Sequence, residues 1–221
     1  MRFQNYSFVS QKAKVSNNAQ IGAFCIIEDG VEIGPNVIIG SHSIIGKNTK
    51  ISDNVEVGSH CLIGNDVLLS NDCYVGPYCE IKDQVKVSDK CNLQGNIRVG
   101  NNTFLGEETV VKYGAILTSN AFVSKNCFIG PNCILVGSDV SRAAEEAGGE
   151  MCTIIGERVF LGAGTVVNAS CRIVNDVYVG ANSYVKTDIF NKGVFVGTPV
   201  EKIRDELPKY SLKVIDGVGV V

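Results

Sequence analysis

The sequence contains no tryptophan, and only 7% of its 221 residues are aromatic. Compact globular cores rely heavily on large aromatic side chains, so this shortage favours a thin core built from small and branched residues. The chain also has only two histidines, His42 and His60, which are too few for a zinc site with three histidine ligands. We therefore expect no metal site.

An excess of one charge sign is also lacking, because 20 basic and 23 acidic residues leave a net charge of −3. Without a basic surplus there is no electrostatic reason to expect binding to nucleic acid or to a membrane surface. No stretch approaches the ~20 apolar residues of a membrane span, and the N-terminal segment lacks the apolar run of a signal peptide. These absences predict a cytoplasmic protein with neither nucleic acid nor membrane as a partner.

The sequence does contain a six-residue repeat. From Val9 to Leu135 every sixth residue is Ile, Val or Leu, which makes 22 consecutive matches. In a chain with 45% hydrophobic residues, chance would produce such a run with a probability of roughly 10⁻⁸. The series resumes at Ile155 and continues to Val185. A period of six fits no helix and predicts short strands that alternate with tight corners.

We number each hexad from its aliphatic residue, position one. Position four is often Asn or Gly, which tolerate left-handed backbone angles, so we predict that it forms the corner. Position five is small or β-branched, and eight of the nine cysteines fall on it: Cys25, Cys61, Cys73, Cys79, Cys91, Cys127, Cys133 and Cys171. We interpret these as reduced residues that fill the core. Cys152 lies off the repeat, and its role stays open.

The repeat is interrupted once, between Leu135 and Ile155. The extra residues, about 138–152, are small, charged or glycine and show no periodicity. An insertion of this kind must leave a solenoid at a corner, where it is either a tolerated surface loop or part of a binding face. Because no other hexad is interrupted, we favour a functional loop.

The repeat resembles the hexapeptide-repeat acyltransferase family, and within it the nucleotide-sugar N-acetyltransferases. The resemblance covers Val9 to about Arg204, and the ending GTPVEKIR is similar to the closing signature of the family. It implies an all-β fold, a left-handed parallel β-helix of about nine coils with three hexads per coil. One protruding loop (138–152) and a short C-terminal extension (205–221) would accompany the β-helix domain (1–204). It also implies a homotrimer with active sites between neighbouring subunits.

By the same resemblance, acetyl-CoA is the expected co-substrate, and it would lie along the C-terminal coils. Small residues there imply close contact with the pantetheine arm, and cationic residues imply contact with its phosphates. The pantetheine candidates are Gly162, Ala163, Gly180 and Ala181, and the phosphate candidates are Lys186, Lys202 and Arg204.

Sugar-amine acetyltransferases of this family use a His as base, and its position falls on Ser119 here, with Asn120 beside it. Ser119 and Asn120 are therefore the candidate catalytic residues. The loop residues Ser138, Asp139 and Arg142 are the candidate acceptor-binding residues. Arg142 belongs to a run after Gly130 and Pro131 that is similar to one in nucleotide-sugar 3-N-acetyltransferases, which also lack this His. A neutral amine needs less base assistance than a hydroxyl, so the lack of His favours an amino acceptor.

Three functions remain open at this point: N-acylation of a nucleotide-linked amino sugar, O-acylation of a sugar, and a non-catalytic structural β-helix. The opening hexads also resemble acyltransferases of lipid A synthesis, whose catalytic His has no counterpart here. His42 and His60 fall one coil apart in one column, either as simple corner residues or as part of an aromatic ladder at an edge.

Overall fold

The computed structural model describes residues 6–137 and 153–208. Within these ranges the chain is entirely strand, turn and irregular structure, with no helix. Each hexad contributes one short strand, formed by positions six and one, and strands three hexads apart pair in parallel. The chain thus forms a left-handed parallel β-helix, as the repeat and the family resemblance predict.

Three sheets form the faces of the prism. Sheet I contains β1 (Phe8–Val9), β4 (Ile26–Ile27), β7 (Ile44–Ile45), β10 (Leu62–Ile63), β13 (Glu80–Ile81), β16 (Arg98–Val99), β19 (Ile116–Leu117), β22 (Ile134–Leu135), β25 (Val166–Val167) and β28 (Tyr184–Val185). Sheet II contains β2 (Lys14–Val15), β5 (Glu32–Ile33), β8 (Lys50–Ile51), β11 (Leu68–Leu69), β14 (Lys86–Val87), β17 (Phe104–Leu105), β20 (Phe122–Val123), β23 (Ile154–Ile155) and β26 (Arg172–Ile173). Sheet III contains β3 (Gln20–Ile21), β6 (Ile38–Ile39), β9 (Glu56–Val57), β12 (Tyr74–Val75), β15 (Asn92–Leu93), β18 (Val110–Val111), β21 (Phe128–Ile129), β24 (Phe160–Leu161), β27 (Val177–Val179), β29 (Gly193–Gly197) and β30 (Val200–Arg204).

The solenoid makes about ten turns, against the nine expected, because β29 and β30 add to sheet III beyond the 28 hexad strands. That hairpin is also the one departure from parallel pairing in the described chain. β29 continues sheet III in parallel with β27, and β30 then returns antiparallel to β29. The reversal lies in the GTPV segment, where Gly197 has φ of +108° and Pro199 has no N–H to donate. We call the three prism edges by the sheets they join: I–II, II–III and III–I.

The corners follow the predicted chemistry. Position four has a left-handed backbone at nearly every corner, and non-glycine residues such as Phe24, Glu108 and Arg158 adopt it as well as Asn. Position one and position five point inward, so Ile, Val and Leu pack with the eight repeat cysteines in one continuous core. Those cysteines are buried and free. Cys152 lies outside the described residues.

A hydrogen bond explains why position five so often carries a hydroxyl or thiol. Ser43 donates its Oγ–H to the carbonyl of Gly58 at 2.9 Å, and Thr49 donates to that of Gly64 at 2.8 Å. The Cys127 thiol lies 2.9 Å from the Gly156 carbonyl in the same way. In each case the acceptor is position two of the coil above. We call this contact the position-five hydrogen bond; it gives a polar atom inside a narrow core a fixed partner.

Candidate functional site

The segment 138–152 falls between β22 of sheet I and β23 of sheet II, and Gly137, which precedes it, lies directly above Thr118 and Ser119 at the I–II edge. Thr118 donates its hydroxyl to the Leu135 carbonyl at 2.9 Å, and Thr153 donates to the Val136 carbonyl at 2.9 Å. The described residues on both sides of segment 138–152 are therefore held on the solenoid. Gly137 lies so close that an added Cβ would collide with the Thr118 hydroxyl. The sequence reasoning missed Thr118 and Gly137, although Thr118 stands where many corners have glycine.

Ser119 and Asn120 form the corner immediately below this exit. Asn120 has φ of +62°, and its N–H donates to the Asn101 carbonyl at 2.8 Å. Its Oδ1 accepts a hydrogen bond from Nδ2 of Asn102, one coil below, at 3.3 Å. The Asn120 amide NH₂ has no acceptor among the described residues. The other residues expected there, Ser138, Asp139 and Arg142, lie outside the described residues.

Both histidines lie on a different edge. His42 and His60 occupy the III–I edge and stack with ring centroids 4.8 Å apart. Asn120 lies on the I–II edge three coils above the level of His60, which corresponds to ~14 Å along the prism axis. Neither imidazole is therefore placed to take a proton at Ser119 or Asn120 of the same chain.

The expected pantetheine residues do come together. Gly162 and Ala163 lie on the III–I edge directly below Gly180 and Ala181, and Ala163 and both residues above it are at least partly exposed. Gly162 has a structural cause of its own, because an added Cβ would lie 2.5 Å from the backbone nitrogen of Ala181. The same collision, at 2.5 Å, occurs at Gly106 against Lys125, far from this column. Glycine at position two thus follows first from coil stacking.

The expected phosphate-binding cations are spread over the last turn. Lys186 follows β28 at the I–II edge, whereas Lys202 pairs in register with Phe195 and Arg204 with Val194 on sheet III. The Lys202 ammonium is bonded to Asp205, which lowers the pKa of that carboxyl. One chain therefore does not gather these three cations around the Gly162–Ala181 column.

The strongest charge pairing lies on the II–III edge. The Arg158 guanidinium donates Nε–H and Nη2–H to the two oxygens of Asp176 at 2.7 and 2.9 Å. This bidentate contact lowers the pKa of Asp176 and pairs the positive charge of Arg158 with its carboxylate. Inside the prism, burial raises the pKa of Cys127 to about 12 and that of Cys133 to about 11, so these thiols are unsuited to nucleophilic chemistry.

The described residues include no helix that is long and apolar enough to cross a membrane. They also contain no group of three or more His, Cys, Asp or Glu side chains arranged to hold a metal ion.

Comparison with known proteins identifies the family. Residues 3–121, more than half of the chain, match the family described as GMPPB C-terminal domain, and the chain belongs to that family. Residues 152–189 match the hexapeptide repeat of succinyl-transferase. No curated protein matches the chain. The resemblance to the hexapeptide-repeat acyltransferases, read from the repeat, is confirmed.

Solved structures share the fold at low sequence identity. A mutant of GDP-perosamine N-acetyl transferase from Caulobacter crescentus, in complex with CoA and GDP-perosamine, is 21% identical with a TM-score of 0.51. That alignment covers 62% of this chain and 58% of the Caulobacter chain, so it spans less than two thirds of that relative. LpxA from Acinetobacter baumannii is 17% identical with a TM-score of 0.55, over 90% of this chain and 72% of its own.

Proposed function

We propose that this β-helix transfers an acyl group, acetyl in our proposal, from CoA to the amino group of a nucleotide-linked sugar. The observation that carries the proposal is the interruption of the repeat at the I–II edge, where the flanking residues Gly137 and Thr153 lie in the coil above Ser119 and Asn120. The coils that follow it match the hexapeptide repeat of succinyl-transferase. The similar fold of the GDP-perosamine enzyme, solved with CoA and a nucleotide sugar, is consistent with both substrates.

The proposed chemistry needs no histidine. The neutral amine of the acceptor attacks the thioester carbonyl, the C–N bond forms, and the C–S bond breaks with CoA leaving as its thiol. The proton lost by the amine ends on the departing sulfur. In this proposal Asn120 orients the amine or a water through its amide NH₂, which has no acceptor among the described residues. Ser119 contributes a second polar group to the same corner.

The remaining site residues extend this proposal. Ser138, Asp139 and Arg142 would hold the acceptor at the start of the insertion. Gly162, Ala163, Gly180 and Ala181 would line the pantetheine arm, and Lys186, Lys202 and Arg204 would face the phosphates of CoA. Because these cations and the glycine column lie on different parts of one prism, the proposed site needs a neighbouring subunit, in keeping with a homotrimer. The reduced cysteines fit the cytoplasm as the compartment that we expect.

The test compares Asn120→Gly with Asn102→Gly. The two residues occupy the same corner of consecutive coils, both have positive φ, and Gly keeps that backbone without steric cost. Each substitution also removes the one side-chain hydrogen bond that joins them. Acetyl transfer to amino-sugar nucleotides is measured for both variants. Loss of one or two hydrogen bonds at ~0.5–1.5 kcal/mol each predicts a fall in kcat/KM of roughly 2- to 160-fold for Asn120→Gly alone.

Equal losses in the two variants, or no loss in either, would show that Asn120 is a structural corner without a catalytic role. The pH dependence adds an independent readout, because the rate should rise toward the pKa of the acceptor amine. An inflection near the ordinary histidine value of ~6.5 would contradict a mechanism without histidine.

A second candidate is a non-catalytic β-helix, favoured by the match of residues 3–121 to a C-terminal domain family. Acetyl-CoA separates the two, since a ligand that binds the folded state raises the melting temperature. A melting temperature that stays unchanged at millimolar acetyl-CoA favours the structural function.

A further inference from the structure

One lysine stands apart from every other charged residue at the corners of the prism. Positions two to four of the described corners carry nine charged residues on the I–II edge and ten on the II–III edge. On the III–I edge they carry one, Lys112, at position two of the corner that follows β18. A charge on an otherwise uncharged edge has no opposite charge beside it in the same column, so surface ion pairing does not account for it.

The Lys112 side chain reaches toward the C-terminal coils. Its Nζ lies 5.7 Å from the centroid of the Phe128 ring, which belongs to the next coil of sheet III. The ammonium forms no salt bridge with any residue that the structure describes. Lys112 is half-buried, so its charge is held beside an aromatic ring and is only partly hydrated. The described chain therefore offers a positioned cation without an anion to neutralise it.

Phe128 is the lowest ring of an aromatic column on the outer face of sheet III. It stacks on Phe160 with ring centroids 4.6 Å apart, and Phe160 stacks on Tyr178 at 4.4 Å. Two residues after each ring, at the start of the adjoining III–I corner, the chain has a glycine. Small residues beside large rings leave a shallow recess, which we call the C-terminal groove. Its glycines are Gly130, Gly162 and Gly180.

The length of the C-terminal groove matches the pantetheine arm of CoA. Lys112 lies three coils below Gly180, or ~14 Å along the prism axis. The arm has about twelve bonds between the phosphates and the sulfur, so it spans roughly 14 Å when extended at ~1.2 Å per bond. If the phosphates lie at the last turn, as in the proposed function, the thioester reaches the level of Lys112. Asn120 follows eight residues later and differs in height by only ~2 Å.

We propose that Lys112 is a catalytic residue whose ammonium donates a hydrogen bond to the thioester carbonyl oxygen of the acyl donor. The inference rests on the proposed function and adds the group that holds the oxyanion. As the acceptor amine attacks, the C–N bond forms and the carbonyl electron pair moves onto the oxygen, opposite the Lys112 charge. The carbonyl then re-forms, the C–S bond breaks, and the sulfur takes the proton that the amine loses. Because full negative charge exists on the oxygen only after attack, the ammonium stabilises the transition state more than the bound thioester.

The test compares Lys112→Met with Gln94→Met. Both residues are half-buried and occupy position two of the III–I edge, one coil apart. Methionine keeps an unbranched side chain against the Phe128 ring and removes only the charge. Lys112→Arg is the conservative variant, which restores a cation. Circular dichroism and thermal melting confirm that the variants fold, and Lys112→Gln supplies the same comparison if Lys112→Met does not.

Acetyl transfer to amino-sugar nucleotides then gives kcat and KM for each protein. We expect Lys112→Met to lower kcat by at least ~100-fold, the usual effect of losing an oxyanion donor, with KM for acetyl-CoA within about threefold of the unmodified chain. Lys112→Arg should recover at least about tenfold of that loss, and Gln94→Met should match the unmodified chain. Acetyl-CoA should raise the melting temperature of Lys112→Met as much as that of the unmodified chain, because binding of the thioester itself is retained.

Equal kcat values for Lys112→Met and Gln94→Met would overturn the assignment while leaving acyl transfer in place. A raised KM with unchanged kcat would overturn it too, because Lys112 would then contact the bound substrate without favouring the transition state. An unmodified chain that neither transfers acetyl groups nor is stabilised by acetyl-CoA would refute the proposed function itself, and the role of Lys112 with it.

Discussion

The position-five hydrogen bond predicts an unusual order of stability for cysteine substitutions. A buried free cysteine normally behaves as a small hydrophobe, so Ala is the gentler replacement and Ser buries an unsatisfied hydroxyl. Cys127 is 1% exposed, yet its thiol has an acceptor, the Gly156 carbonyl at 2.9 Å. Ser43 and Thr49 already place hydroxyls on the equivalent carbonyls. A serine at residue 127 should therefore find its partner without rearrangement.

The magnitudes follow from these contacts. Cys127→Ser keeps the hydrogen bond and should change the free energy of unfolding by less than about 1 kcal/mol. Cys127→Ala loses the bond, at ~0.5–1.5 kcal/mol, and an apolar atom of about methylene size, at ~0.8 kcal/mol. The alanine variant should therefore be less stable than wild type by about 1.5–2 kcal/mol. We expect serine to be the better replacement.

Cys171 supplies the control within the same chain. It is also buried, at 4% exposure, but its sulfur is 3.9 Å from the Val185 carbonyl and makes no position-five hydrogen bond. A hydroxyl cannot bond at that distance, so Cys171→Ser should cost more than Cys171→Ala by roughly 1 kcal/mol or more. Urea unfolding of the four variants, compared by midpoint at equal slope, measures the order. The explanation fails if alanine is the better replacement at both cysteines.

Two further predictions concern the core and the C-terminal coils. Burial raises the pKa of Cys127 to about 12, so the neutral thiol contributes its full stabilisation below the ordinary thiol pKa of ~8.5 and loses it as pH rises toward 12. Urea unfolding midpoints measured from pH 7 to 11 should therefore fall above ~pH 9. A flat profile would contradict the burial of neutral thiols. Gly162→Ala should lower the melting temperature more than Gly180→Ala. The Cβ added at residue 162 would lie 2.5 Å from the Ala181 backbone, whereas the Cβ added at residue 180 would lie 2.7 Å from a side-chain atom, Val196 Cγ1, which can move. Equal melting temperatures would show that the coil relaxes around both.

The repeat made most of the fold predictable. Because side chains alternate along a strand, the aliphatic series from Val9 fixed which residues face inward, and Asn-rich position four marked the corners. The hairpin of β29 and β30 is not predicted, because GTPVEKIR has no periodicity and its similarity to a family signature implies no secondary structure. The position-five hydrogen bond also escaped, because its donor and acceptor are 15 residues apart and meet only when coils stack.

The candidate site was predictable only in part, because glycine in this fold can allow close contact either with a ligand or with the next coil. In the sequence, Gly162 and Gly180 indicate a ligand contact, yet position-two glycines such as Gly22 and Gly106 approach the next coil as closely where no ligand is expected. Lack of glycine at position two is no better a guide, because 15 of the 28 hexads lack it. Thr118 is such a corner, and its hydroxyl holds the strand from which the insertion departs. The feature that sets this corner apart is therefore the interruption of the repeat after Leu135, one coil above Thr118, rather than the presence or lack of glycine.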